Sequence, residues 1–364
     1  MNKNLPKWVD LGLIPLLSLL LAFAVSGLVV LSIGQNPIEV VSVMIQGAFN
    51  PFGIGHTLYF TTNFIFTGLA VAVAFHARLF NIGGEGQAGV AGVGVALVML
   101  SFDWPNWPLA LIAGTLAAMV FGAGWAAIPA YLQAKRGSHI VITTIMFNLI
   151  AGALIGYLLV GPMQAEGSLP ESPGFPPAAA LPTLHDILGW FGIPFDKFAP
   201  ANITFFLALG AAFLVWVLIW KTRLGYEMRA FGHSERAAVY AGISPMKITM
   251  VAMLISGALS GLMAVNTVQG EAERLVLGAV EGAGFIGIAV ALMGRSHPVG
   301  VVLAAFLFGI LTQGGAELQF TLGIPAQMIT VIQALIIMFT GSLENLVRFP
   351  MERIFIRAGK GAGS

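Results

Sequence analysis

No cysteine occurs among the 364 residues, and charged side chains make up only 9% of them. The first absence excludes disulfides, zinc–thiolate centres and thiol nucleophiles. The second is foreign to a soluble domain, in which about 25% of residues are charged. Histidine is scarce too: His56, His76, His139, His185, His233 and His297 never pair at metal-ligand spacing. No H-E-x-x-H string is present and no Ser/His/Asp arrangement can be argued, so hydrolytic chemistry has no basis in the sequence. A net charge of +1 gives no overall pull toward nucleic acid.

What is abundant is apolar: 57% of the residues are hydrophobic and the mean hydropathy is +0.89. A chain of this length cannot hide that much apolar surface in its own core, so the surplus faces a lipid bilayer. A bilayer crossing takes roughly 20 apolar residues in helix. Stretches free of Asp, Glu, Lys and Arg predict helices near 11–34, 57–77, 86–102, 107–133, 140–161, 202–220, 248–269, 282–294, 299–315 and 325–343. The first has no small-residue cleavage site behind it and reads as a retained helix, not a signal peptide. The expected fold is all-α and polytopic, with about ten transmembrane helices. Placing the N-terminus in the cytoplasm puts fifteen of the 17 Lys and Arg inside and leaves only Lys197 and Arg274 outside. That is a strong positive-inside bias, and one miscounted helix would spoil it. Both termini are therefore expected in the cytoplasm.

The proline-rich segment 162–200 is expected outside, as an irregular cap with one short helix near His185–Phe191, and 37–50 as a short interfacial helix. The whole chain, 1–364, reads as a single transmembrane domain: a first repeat at about 11–161, the outer loop 162–200, a second repeat at about 202–343 and a cytoplasmic tail, 344–364. The third helix of each half is short, glycine-rich and opened by an acid, Glu85 and Glu281. Matching glycine-interrupted segments point to a midplane pathway, and five helices per half imply inverted repeats. Both places also spell G-x-G-x-x-G (84–89 and 282–287), but a dinucleotide loop needs a βαβ unit, and these lie among membrane helices. The pairs Gly152/Gly156 and Gly257/Gly261 have the spacing that lets helices approach closely.

Ionisable residues at membrane depth are costly and usually functional. Glu85, within Asn81-Ile82-Gly83-Gly84-Glu85-Gly86-Gln87, is expected either to cap exposed amides or to accept hydrogen bonds from a hydroxyl-bearing substrate. Glu281 is read in the same way. Asn148 is an amide inside the fifth helix, placed for an interhelical hydrogen bond or for the pathway. Phe80, Phe147 and Phe285 offer stacking faces, against the plainer reading of lipid contact. In the inner loop 221–247, Ser234 is an N-cap, Glu235 sits in the first turn and Gly242 is a stop. A short helix capped at both ends, across a cytoplasmic loop, suits the docking of a partner. The tail Gly359–Ser364 lacks the spacing of a phosphate loop.

Four segments carry a resemblance: Phe80–Gln87, Ile142-Thr143-Thr144-Ile145-Met146-Phe147-Asn148, Arg229–Gly242 and Ser256-Gly257-Ala258-Leu259-Ser260-Gly261-Leu262. Over roughly 60–345 the chain resembles bacterial ABC permeases of the branched-chain amino acid, ribose and simple-sugar family. It is most similar to the nucleoside/simple-sugar permeases served by Bmp-type lipoproteins. One departure is Gly137-Ser138-His139-Ile140-Val141-Ile142, where the family usually reads Gly-x-Asn-Glu-Val-Ile. The resemblance implies a permease in the bacterial inner membrane, with no cofactor of its own and with ATP used by a cytoplasmic ABC ATPase. It further implies a second homologous permease, an external solute-binding protein and a nucleoside or simple-sugar cargo. Asn81, Glu85, Gln87, Asn148, Glu281 and Phe285 are the pathway candidates. Arg229, Ser234, Glu235, Ala237, Ala238 and Gly242 are the candidates for coupling to the ATPase. The rival reading is an ion-coupled secondary transporter that uses Glu85 and Glu281 and needs no ATPase.

Overall fold

The computed structural model describes residues 6, 9, 13–280 and 282–339; Glu281 and the tail 344–364 lie outside the described residues. The chain is all-α. Its helices are α1 (Ile14–Ser32), α2 (Pro37–Phe49), α3 (Pro51–His76), α4 (Gly84–Ser101), α5 (Trp107–Arg136), α6 (Ile140–Val160) and α7 (Leu184–Gly189). After the outer loop come α8 (Thr204–Lys221), α9 (Arg223–His233), α10 (Glu235–Tyr240), α11 (Pro245–Gly261), α12 (Ala283–Met293), α13 (Pro298–Leu322) and α14 (Ala326–Ile337). A π-helical segment, Val265–Glu271, carries α11 onward. Among the described residues pairing between extended segments amounts to two isolated bridges.

Each of the ten expected stretches holds a helix. Seven spans among the described residues are long and apolar enough to cross a membrane: α3, α4, α5, α6, α8, α11 with its π-helical continuation, and α13. α1 and α2 pass that test only as a pair bent by 113°. α12 has 11 residues and α14 has 12, both short of a full crossing. Two expectations need correcting. The glycines of the third stretch do not interrupt it, because α4 is unbroken over 18 residues and its glycines serve close packing instead. The loop 221–247 holds two helices, α9 before the expected α10.

The helix ends follow from local chemistry. Asn50 and Asn106 accept from the backbone N–H groups of Gly53 and Leu109 at the starts of α3 and α5, each with proline in the first turn. Thr183 and Asp186 form a capping box on α7. Ser244 caps α11.

The described chain forms two compact units. One comprises residues up to Ala48 together with those from Gln313 onward; in it α1 packs with α14, and α2 lies on the C-terminal part of α13, with Gly47 against Glu317 and Gly314 against the Met44 backbone. The other, Phe49–Thr312, holds the remaining helices. Its packing is close because small residues face each other. Gly257 lies on the Gly122 backbone and Gly261 on Ala118, joining α11 to α5 as the spacing of that pair predicts. Gly152 and Gly156 meet no neighbour, so the other pair packs against nothing within the described chain.

This second unit has two chemically distinct ends. At one, Arg78, Gln133, Phe231, Glu235 and Pro245 line a common cavity of about 250 Å³, and His76 Nε2 meets Ser296 O at 3.1 Å. At the other, Glu171 pairs with Arg274 at 2.8 Å, Ser172 N–H donates to Leu275 O and the bridge Glu171↔Val276 forms. The loops expected to be cytoplasmic thus gather at the first end, and those expected outside at the second.

Candidate functional site

Phe80–Gln87 builds a buried polar knot. Asn81 Nδ2 donates to Gln87 Oε1 (2.9 Å) and Ser256 Oγ (2.8 Å), while its Oδ1 accepts from Gly83 N–H (2.9 Å) and Gln87 Nε2 (3.1 Å). Ser256 Oγ in turn donates to Ala70 O, and Ser260 Oγ donates to Gly84 O at 2.9 Å. Three elements, α3, α4 and α11, are joined by side chains that are almost fully buried. Each buried amide is paired, which such burial requires. Asn81 and Gln87, expected among the pathway residues, make their hydrogen bonds within the protein.

The knot lies deep. Ser256 and Ser260 are 11 and 15 residues beyond Pro245, roughly 16 and 22 Å along α11. That places the start of α4 near the middle of a core about 30 Å thick. α12 ends beside the His76–Ser296 contact and extends only about 16 Å from there, so its start is also deep. The two starts meet: Gly284 lies directly on the Glu85 backbone, where any Cβ would clash.

Glu85 joins them. Gly282 N–H donates to Oε1 at 2.9 Å and Gly284 N–H to Oε2 at 3.0 Å. The carboxylate caps α12 from 197 residues away in sequence and also sits in the first turn of α4, so it neutralises the positive ends of two helices. Gly282, at φ +79°, supplies the left-handed turn that aims its N–H at this carboxylate. Asn148 does the same for α4: its Oδ1 accepts from Gly86 N–H at 2.9 Å and its Nδ2 donates to Ile82 O at 2.8 Å. Glu85 thus caps exposed amides, and Asn148 makes interhelical hydrogen bonds.

Glu85 and Asn148 also line a cavity of about 130 Å³. Gly86, Gly89 and Gly92 form one wall, α6 another, Thr267 and Val268 a third, and Leu275–Val280 cover it. Phe285 is about half exposed and does not line this cavity, and Glu281 lies outside the described residues. Phe80 packs edge-on against Phe75, and Phe147 against Trp125.

At the cation-rich end, Ser234 Oγ accepts from Ala237 N–H at 3.4 Å, and Gly242, at φ +83°, ends α10. Glu235 and Ala237 are exposed, Tyr240 is 96% exposed, and Ala238 is buried. Ala238 is thus the residue that seats α10 on the body. Arg229 is half-buried beside His76, with a buried Nε that lacks a hydrogen-bond partner, so it belongs to the body as well.

A second polar cluster escaped the sequence reading. Asn266 Oδ1 accepts from Asn202 Nδ2 (2.9 Å) and Thr204 Oγ1 (2.7 Å), and its Nδ2 donates to Asn63 Oδ1 (2.8 Å). An asparagine in each of three apolar stretches is the signal that was available.

Against this geometry stand the relatives. Residues 53–341 match the family described as branched-chain amino acid transport system/permease component. The chain belongs to that family. The guanosine ABC transporter permease protein NupP of Bacillus subtilis is 36% identical over 94% of this chain and 96% of its own length. The glucose ABC transporter permease protein TsgB13 of Haloferax volcanii is 34% identical over 99% and 95%. The nucleoside ABC transporter permease protein NupB of Lactococcus lactis is 33% identical over 90% of each. The protein is a multi-pass ABC transporter permease subunit, and the rival of an ATPase-free secondary transporter falls with that membership.

Proposed function

We propose that this permease is half of the membrane pathway of an ATP-driven importer for nucleosides or related simple sugars. The cargo class is supported by relatives that carry guanosine, nucleosides and glucose in their names. In this reading the permease sits in a bacterial inner membrane with both termini in the cytoplasm, and ten crossings form two inverted five-helix repeats. The meeting of two deep helix starts at Glu85 supports the inversion. A second permease covers the exposed apolar side of α6, and a solute-binding protein delivers cargo at the outer end. The cavity beside Glu85 and Asn148 is one wall of the cargo route.

The observation that carries this reading is α10: a helix capped at both ends, seated through Ala238, that presents Val239 and Tyr240 at the cation-rich end. Such a projecting element suits the docking of a separate cytoplasmic ATPase, which binds and hydrolyses the ATP. Closure of that ATPase would pull α10 and α9, and Gly232 of α9 lies on the His76 backbone at the end of α3. Alternating access follows if that pull shifts α3 and its neighbour α12. The test is co-purification of the ATPase with the assembled complex. Tyr240→Arg is expected to strip the ATPase while the melting temperature of the permease stays unchanged. Full retention would sink the docking assignment.

A further inference from the structure

Two helix starts that meet deep in a membrane protein form an anion site by default, because their free amides and aligned dipoles favour negative charge. In this permease three of those amides are taken. Gly282 and Gly284 N–H groups donate to Glu85, and Gly86 N–H donates to Asn148 Oδ1. The acceptor at α12 is the protein's own carboxylate, and Glu85 also lines the cavity. Among the described lining residues Glu85 is the single ionisable side chain; Asn148 and Thr267 add neutral polar groups, and the rest are apolar or glycine. The nearest cation in sequence, Arg274 beside the lining residue Leu275, is paired with Glu171 at 2.8 Å.

From this arrangement we infer that Glu85 is a charge-selecting residue: it turns anionic solutes away from the cavity and accepts hydrogen bonds from neutral, hydroxyl-bearing ones. The inference rests on the cavity being part of the cargo route. Phosphorylated sugars, nucleotides and carboxylates meet a carboxylate there, and the neighbouring Arg274 is already paired with Glu171. A neutral polyol meets two carboxylate oxygens and an asparagine. With an effective dielectric of about 20, like charges about 6 Å apart repel enough to lower occupancy on the order of 100-fold.

The absence of cysteine from the chain makes the test direct. Ala279, half-buried on the cavity wall, is replaced in the assembled transporter as Ala279→Cys. The new thiol is then labelled with methanethiosulfonate reagents of similar size carrying an anionic sulfonate, a cationic trimethylammonium or no charge. Rates are read by mass on this chain and normalised to a free thiol. The anionic reagent is expected to react on the order of 100-fold more slowly than the neutral one, and more slowly still than the cationic one. The gap is expected to shrink in about 1 M salt, where screening acts over about 3 Å. Glu85→Gln is expected to close it, with the neutral reagent unaffected. Equal rates for the two charged reagents, or a gap that survives Glu85→Gln, would overturn the assignment. Should Glu85→Gln fail to assemble, the salt series alone decides, and a salt-insensitive gap refutes it. Guanosine that fails to slow the neutral reagent sinks the cargo-route reading separately.

Discussion

Asn81 and Glu85 carry opposite lessons although four positions separate them. Both are polar residues at membrane depth, and from the sequence both were pathway candidates. Direction decides between them, and direction comes from the helix: Glu85 and Gln87, two residues apart on α4, point about 200° apart. Glu85 faces the cavity and the α12 start, while Gln87 faces Asn81 and Ser256. The sequence shows that polar groups are present, not which side of α4 is wet. If the knot is structural, Asn81→Ala leaves the Gln87 amide and the Gly83 N–H buried without partners. An unpaired buried group costs about 1–3 kcal/mol, so two predict a loss of several kcal/mol. The expected result is a lower melting temperature in detergent for the empty permease, before any cargo is added. An unchanged melt with impaired uptake would return Asn81 to the pathway.

At the scale of elements, capping residues were legible and backbone packing was not. Ser234 and Gly242 bracket α10 as their chemistry requires. α9 falls within the segment 221–247 expected as a loop with one short helix, and it contains Gly225 and Gly232. In the fold Gly225 lies on the Leu218 and Ile219 carbonyls and Gly232 on the His76 carbonyl, so each glycine permits an approach that any side chain would block. α12 was legible as a short helix, 282–294 in the sequence and Ala283–Met293 in the structure, whereas the carboxylate 197 residues earlier that caps its start was not. The cover of the cavity is another long-range product. Residues 273–276 are stitched to 171–175 by the Glu171–Arg274 ion pair and by hydrogen bonds to Ser172 and Phe175. The paired side chains are 43% and 25% exposed, so solvent screens them and their coupling should be about 0.5–1 kcal/mol. A double-mutant cycle with Glu171→Gln and Arg274→Gln is expected to return that value in thermal or chemical unfolding. Additive effects would mean that the pair holds nothing.

For the whole molecule, the most legible feature was the sorting of charge, which needs only the order of the spans. Lys and Arg avoid translocation across an energised membrane, so their loops report the side on which they stay. The described structure supplies an independent check. Arg78 lines one cavity with Glu235, and Trp220, next to Lys221, packs edge-on against His76 and at a tilt against His297, close in sequence to Arg295. Arg274 and Lys197 belong to the opposite end, where His185 meets Phe195 and Ser172 meets Leu275. Geometry and charge therefore divide the loops in the same way, and the positive-inside bias assigns the cation-rich end to the cytoplasm as an expectation. Single cysteines at Arg236 and at Lys197, introduced into a chain that has none, separate the two orientations. In sealed right-side-out vesicles a membrane-impermeant maleimide is expected to label Lys197→Cys at once and Arg236→Cys only after permeabilisation. Labelling of both from outside, or in the reverse order, would invert the bundle. It would also remove α10 from the reach of any cytoplasmic ATPase, because a helix on the outer face cannot be pulled by closure on the inner one.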